Sequence, residues 1–165
     1  PTAVRLYSSP NNYRPNIMES LIKEFAGTWE LEDSFSEKEG VKIAFPLGKK
    51  VVGRINYDVF GNMAAQLMSS DRKPFLSKNP SEVSDPEYRK AFQEYTSYFG
   101  TYTIHAEEGK VTHHVKGASA PSWPGNDQVR YFEMTEKNLI LKTPPMRGQD
   151  GQKSVHTLVW KKITE

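Results

Sequence analysis

Residues 101–116 read TYTIHAEEGKVTHHVK, two short runs of alternating character on either side of Glu108-Gly109. Dipeptides related to this one mark tight hairpins, because glycine accepts positive φ without steric penalty. A two-residue loop sets Glu107 opposite Lys110, Ile104 opposite His113 and Thr103 opposite His114. Side chains alternate between the faces of a sheet. One face therefore carries Tyr102, Ile104, Ala106, Val111, His113 and Val115. The other carries Thr101, Thr103, His105, Thr112, His114 and Lys116. The first face is apolar apart from His113 and a tyrosine hydroxyl, and the second is polar. His113 is expected to look into a core and His114 into water. An imidazole inside an apolar wall needs a partner or a task.

The same reasoning applies to residues 128–134 and 139–143. A connection of even length groups Arg130, Phe132 and Met134 with Leu139, Leu141 and Thr143. Tyr131, Glu133 and Lys142 then lie on the opposite face, with Val129 and Ile140 among them. Arg130 points into an apolar face, with Gln128 just before it. Such an arginine is either a strut held by backbone carbonyls or a carboxylate, or it awaits an anion or carbonyl.

Outward from these hairpins, more strands follow. Residues 1–13 read as a flexible arm. Residues 16–25 form a short amphipathic helix carrying Ile17, Leu21, Ile22 and Phe25. Strands are expected over 28–35, 42–45, 51–57, 63–68 and 155–161. Residues 69–84 make a long polar loop, suited to a lid or rim. Asp85-Pro86-Glu87 reads as an N-cap, a proline at the first helical position and an acid in the first turn. The helix expected there buries Tyr88, Phe92, Tyr95 and Phe99 and stops near Gly100. About eight strands, joined mostly as sequence neighbours, describe an all-β, up-and-down antiparallel barrel with one short N-terminal helix and one helix inserted mid-chain. A barrel of that size can enclose one small ligand.

Composition bounds the function. The 165 residues suit one domain spanning the whole chain. There is no cysteine, hence no disulfide and no thiol chemistry. No run approaches membrane-span length and the first residues lack an apolar signal core, so a soluble, cytoplasmic protein is expected. A net charge of +2 is too small to argue for nucleic acid. No nucleotide-binding or zinc spacing is present.

Several phrases are similar to the intracellular lipocalin-like domain family of bacteria and fungi. The strand opening Gly27-Thr28-Trp29, directly after a short helix, resembles the Gly-x-Trp start of lipocalins. With it run PLG at 46–48, GRINYDVFGNMAAQLM at 53–68, DRKPF at 71–75, YFGTY at 98–102, VTHHV at 111–115, Trp123, QVRY at 128–131, LILKTPP at 139–145 and LVW at 158–160. The series covers nearly the whole chain. The resemblance implies a calycin-type barrel with a small-molecule cavity. Some fungal natural-product members resemble cofactor-free cyclases, which close rings by pericyclic steps or by adding a hydroxyl across an alkene.

The residues permit a matching assignment. Alternation from Trp29 and Leu31 turns Asp33 inward, where desolvation favours the acid form of its carboxyl and suits a general acid. Asp33 is instead solvated if it lies past the rim. His113 would move a proton, and Arg130 with Gln128 would hold a phenolate or carbonyl. Tyr57 shares a face with Ile55 and Gly53. Gln66 joins it only if its hairpin loop has an even length. Tyr102 and Phe132 lie on inward faces. Trp123, in the Pro121–Gly125 turn, would stack on a ligand at the mouth or pack beneath its loop. Phe75 is the one aromatic residue of the long loop. Trp29 and Trp160 read as plugs at the barrel floor. No cofactor and no metal are expected; His113 and His114 point to opposite faces. The expected partner is a small hydrophobic or aromatic substrate, with no nucleic acid and no membrane insertion. The expectation is a cofactor-independent cyclase or isomerase acting on a polyketide- or terpenoid-like molecule. The alternatives are a non-catalytic carrier of a lipophilic metabolite and, less favoured, an interaction module using the loop and the charged outer face.

Overall fold

Helix α1 (Arg14–Phe25) ends against the first strand, and the junction is sealed by one indole. Trp29 donates its ring N–H to the Phe25 carbonyl at 2.9 Å, so a helix-end carbonyl finds a partner inside the core. The computed structural model describes residues 14–148 and 151–163. The expected arm of residues 1–13 lies outside the described residues.

Ten strands follow in order: β1 (Gly27–Lys38), β2 (Val41–Ala44), β3 (Val51–Tyr57), β4 (Asn62–Ser69), β5 (Tyr95–His105), β6 (Lys110–Ala118), β7 (Asp127–Met134), β8 (Asn138–Lys142), β9 (Met146–Arg147) and β10 (Lys153–Lys162). Helix α2 (Asp85–Gln93) stands between β4 and β5. Strands β1, β3, β4, β5, β6, β7, β8 and β10 pair antiparallel in that order, and β10 pairs back onto β1. The result is a closed barrel of eight strands. β2 and β9 extend the far ends of β1 and β10. Closure leaves no edge in the main ladder.

The inward residues sort into two zones. At the α1 end, Phe25, Trp29, Ile55, Leu139 and Trp160 are essentially inaccessible. The Phe25 ring meets Tyr57 and Phe132 edge-on at 5.3 and 5.0 Å. This is the floor expected of Trp29 and Trp160. Toward the other end, Ser36, Val51, Gln128 and His156 keep partial exposure. Among the described residues no helix is long and apolar enough to cross a membrane.

Two sequence expectations need correction. α2 stops at Gln93, and the aromatic run after it is strand. Residues 95–105 pair on both sides, with β4 and with β6. Tyr88, Phe92 and Phe99 are exposed rather than buried. The helical spacing of the aromatics overlapped a period-two pattern in which Tyr98, Gly100, Tyr102 and Ile104 are the buried set. The N-cap of α2 lies one residue earlier than the expected Asp85. Ser84 is its N-cap, and the Glu87 carboxylate accepts the Ser84 backbone N–H at 3.1 Å.

The second correction is a register. Tyr102 faces His113 and Ile104 faces Val111, two residues from the expected pairing. A short 3-10 turn, Ala106–Glu108, plus Gly109 in the left-handed conformation (φ 59°), makes the connection four residues long. Two and four are both even, so the paired side chains kept their expected faces, while Ala106, expected inward, lies in the turn.

Candidate functional site

Inside the barrel, β6 projects His113 between two tyrosines. Tyr57 Oη, from β3, lies 2.7 Å from His113 Nε2. Tyr98 Oη, from β5, lies 2.9 Å from His113 Nδ1. His113 is fully buried. Burial, reinforced by the positive charges of Arg130 and His114, holds its pKa down at about 3. The ring is therefore neutral at ordinary pH, with one N–H and one bare nitrogen. One tyrosine must donate to the bare nitrogen and the other must accept from the N–H. The accepting tyrosine keeps its own O–H to offer to the interior. Burial raises the pKa of both hydroxyls, and Arg130 opposes that rise in both.

Arg130 comes from β7, where it faces Val111, and Gln128 faces His113. The guanidinium donates to the Val129 carbonyl at 2.7 Å and, more weakly, to Gln128 Oε1 at 3.4 Å. It is thus part strut. Its Nε–H is buried with no partner, and among the described residues no carboxylate pairs with it. An unsatisfied buried donor on a cation is costly unless something accepts from it.

A second histidine faces the same interior. His156 on β10 is half-buried, with Ser34 Oγ 3.1 Å from Nε2 and Ser36 Oγ 3.2 Å from Nδ1, both serines on β1. Burial first, and Arg130 second, depress its pKa.

Sequence reasoning missed Tyr98, Ser34 and His156. For Tyr98 the signal was the period-two run ending at Ile104. For His156 it was alternation backward from Trp160 through Leu158. Ser34 was hidden by a bulge: Leu31 faces Trp160 and Asp33 faces Val159, so Glu32 is an extra residue. That extra residue flips the alternation.

The bulge also corrects Asp33. It lies on the outer face, where its carboxylate takes a 2.6 Å hydrogen bond from Lys42, and it joins no interior group. The expected general acid does not face the barrel interior. Gln66 is corrected as well. Tyr57 faces Met63, so the connection spans five residues, an odd number, and Gln66 points to solvent. Phe75 lies against Tyr88 of α2, with ring centroids 5.4 Å apart, and is not an interior residue. Tyr102 is inward but at the floor, its hydroxyl donating to the Asp58 carbonyl at 2.7 Å. Phe132 packs on Phe25 in the same floor. Trp123 packs edge-on against Tyr98 at 5.4 Å and so stands beside the cluster. His114 is held on the outer face between Thr103 at 2.9 Å and Asp127 at 2.8 Å. His105 likewise contacts Thr112 on that face. A surface cleft of about 420 Å³ lies beside α1, but its lining residues, Ile17, Met18 and 104–108, include none of the interior cluster.

The interior thus offers an uncompensated cation, a spare tyrosine O–H and apolar walls. Such a surface recognises oxygen that is anionic or accepts hydrogen bonds, carried on a hydrophobic skeleton. It has no inward carboxylate to attract an amine among the residues gathered here.

The sequence profile of a family described as lipocalin-like domain matches residues 26–163. A lipocalin-like protein from Bacteroides uniformis is 14% identical, with 85% of this chain and 99% of that chain covered, at a TM-score of 0.43. A protein from Bacteroides eggerthii is 13% identical, covering 84% and 99%, at 0.42. Bovine odorant binding protein, solved in complex with a selenium-containing odorant, is 12% identical, covering 98% and 79%, at 0.42. No curated protein matches the sequence.

Proposed function

The chain belongs to the lipocalin-like domain family, and from that premise we propose that it binds a small hydrophobic or aromatic molecule through an oxygen function held by Arg130 and the Tyr57–His113–Tyr98 relay. The observation that carries the reading is the Arg130 Nε–H, buried, inward and without an acceptor. A charge that the surroundings screen poorly favours phenolate or carbonyl oxygen over cations and fatty amines.

Titration with 2-naphthol and with its methyl ether tests this reading. Arg130→Met keeps much of the apolar stem and removes the charge. Loss of a charge-assisted hydrogen bond amounts to about 1.5–3 kcal/mol, a weakening of roughly tenfold or more. The naphthol should lose that affinity and the ether should lose little. If both proteins bind both ligands equally, Arg130 is a strut and the reading fails.

A second reading is favoured by the relay itself. A neutral imidazole between two hydroxyls can pass a proton from one tyrosine to the other as a shift along the chain, without charging the ring. A cofactor-free isomerase or cyclase needs such a device to take a proton at one substrate atom and return it at another. Orientation in a shaped cavity would supply much of the remaining acceleration. Ring closure on a polyketide- or terpenoid-like substrate of secondary metabolism is the form that the family resemblance suggests. Because both His113 nitrogens are occupied, a tyrosine hydroxyl would be the group meeting substrate, with His113 positioning it. His113→Phe should then keep affinity and lose turnover, whereas a carrier has no turnover to lose. A cytoplasmic location accompanies both readings, since a cysteine-free chain needs no oxidising compartment.

A further inference from the structure

Going round the barrel, the strands run β1, β3, β4, β5, β6, β7, β8, β10 and back to β1. The Tyr57–His113–Tyr98 relay centres on β5 and β6. Ser34, Ser36 and His156 lie at the β10–β1 seam, opposite the β5–β6 seam in this ring, and Tyr57 reaches His113 from β3, next to β1. His113 on β6 and His156 on β10 are three strands apart one way and five the other. Arg130 on β7 stands between them on one side, close enough that its charge opposes protonation of both rings.

The second cluster repeats the chemistry of the first. One serine donates to the bare nitrogen of His156 and the other accepts from its N–H, whichever tautomer the ring adopts. The accepting serine keeps an O–H, just as the accepting tyrosine does. The barrel thus presents two hydroxyl donors on opposite walls and one cation between. The ligand-binding reading given above uses only one of these walls.

We propose that the barrel holds its ligand at two oxygen functions, the second received by the Ser34–His156–Ser36 cluster opposite the tyrosine relay. This rests on the reading of the interior as the binding site, and it narrows the ligand class. The molecule carries oxygen at two opposite edges of a compact hydrophobic skeleton. Eight strands about 4.8 Å apart and tilted about 40° enclose a barrel roughly 16 Å across between backbones. Inward side chains take up much of that width, so the skeleton between the oxygens is short. A ligand with one oxygen leaves the second hydroxyl donor unmatched.

The probes are 2-naphthol and 2,6-dihydroxynaphthalene, which differ by one oxygen at the far edge. Wild-type protein should bind the diol about fivefold more tightly, the size of one neutral hydrogen bond. Ser36→Ala and His156→Gln should each erase that advantage while leaving 2-naphthol affinity unchanged. Tyr98→Phe should weaken both probes alike. Thermal melts identify any variant that fails to fold, and the serine variant, which removes one oxygen from a half-buried position, stands in for the histidine variant if that one does. A diol that binds no better than 2-naphthol, or an advantage that survives both substitutions, overturns the second pole while leaving the first intact. Failure of wild type to bind 2-naphthol at all would instead overturn the ligand reading on which both rest.

Discussion

His113 is the residue whose chemistry the fold has changed most. Its pKa falls from 6.5 to about 3 because burial, more than any neighbour, disfavours the charged ring. The unfolded chain takes up this proton below about 6.5 and the folded chain does not until about 3, so protons favour unfolding throughout that window. The stabilisation is fully present above 6.5 and is lost as pH falls. Between pH 7 and pH 4 the loss amounts to roughly 3 kcal/mol. Urea denaturation at the two pH values should therefore give a difference in wild type that exceeds the difference in His113→Phe by about that amount. Equal differences would mean that His113 is not buried neutral between its tyrosines. Asp33 makes the opposite prediction. As a surface partner of Lys42, its replacement by Asn should change stability by less than about 1 kcal/mol and leave 2-naphthol affinity untouched. A tenfold affinity loss would return it to the interior. At this scale alternation placed His113 and Arg130 correctly, because parity survives any even change of loop length, and Tyr57 correctly through the strand face it shares with Ile55. It misplaced Asp33 and left Gln66 undecided, because one extra residue at Glu32 and one odd connection reverse parity without leaving a mark in the sequence.

Strand β5 is the element in which local pattern and final structure part company. Read as a helix, Tyr88, Phe92, Tyr95 and Phe99 make one face. Read as a strand, Tyr98, Gly100, Tyr102 and Ile104 make another. The ladder partners on both sides settle the competition, and those partners are remote in sequence. Gly100 is the physical evidence. In the helix reading it is a stop signal. In the barrel it lies where the register with β6 shifts, and a Cβ there would fall 1.9 Å from the His114 carbonyl oxygen and 2.9 Å from its carbon. Backbone cannot yield as a flexible side chain does. Gly100→Ala should destabilise the protein by about 3 kcal/mol or more in urea denaturation. A loss under about 1 kcal/mol would mean that β5 does not pass His114 so closely. The consequence for function is direct: the same misreading that made a helix of residues 95–99 concealed Tyr98, one half of the bracket around His113.

At the scale of the whole molecule, the barrel itself was legible. Hairpin signals, strand count and the tryptophan floor each pointed to closure, and β10 does pair with β1 through Trp160 and Leu31. Less legible was what closure brings together. Tyr57, Tyr98, His113, Arg130, Ser34 and His156 come from six strands, and no local pattern in the chain relates β1 to β10 or β3 to β6. Closure also carries Arg130 to the inner wall, partly buried and with no carboxylate partner among the described residues. The central claim is that Arg130 waits there for a ligand oxygen. The most direct test is the Arg130 Nε–H resonance in a 1H–15N spectrum, assigned by its loss in Arg130→Lys, as 2-naphthol is added. The account predicts a marked downfield shift that saturates with binding, as the orphaned donor gains an acceptor. An Arg130 signal that stays in place while the ligand moves resonances only on the outer face would contradict it.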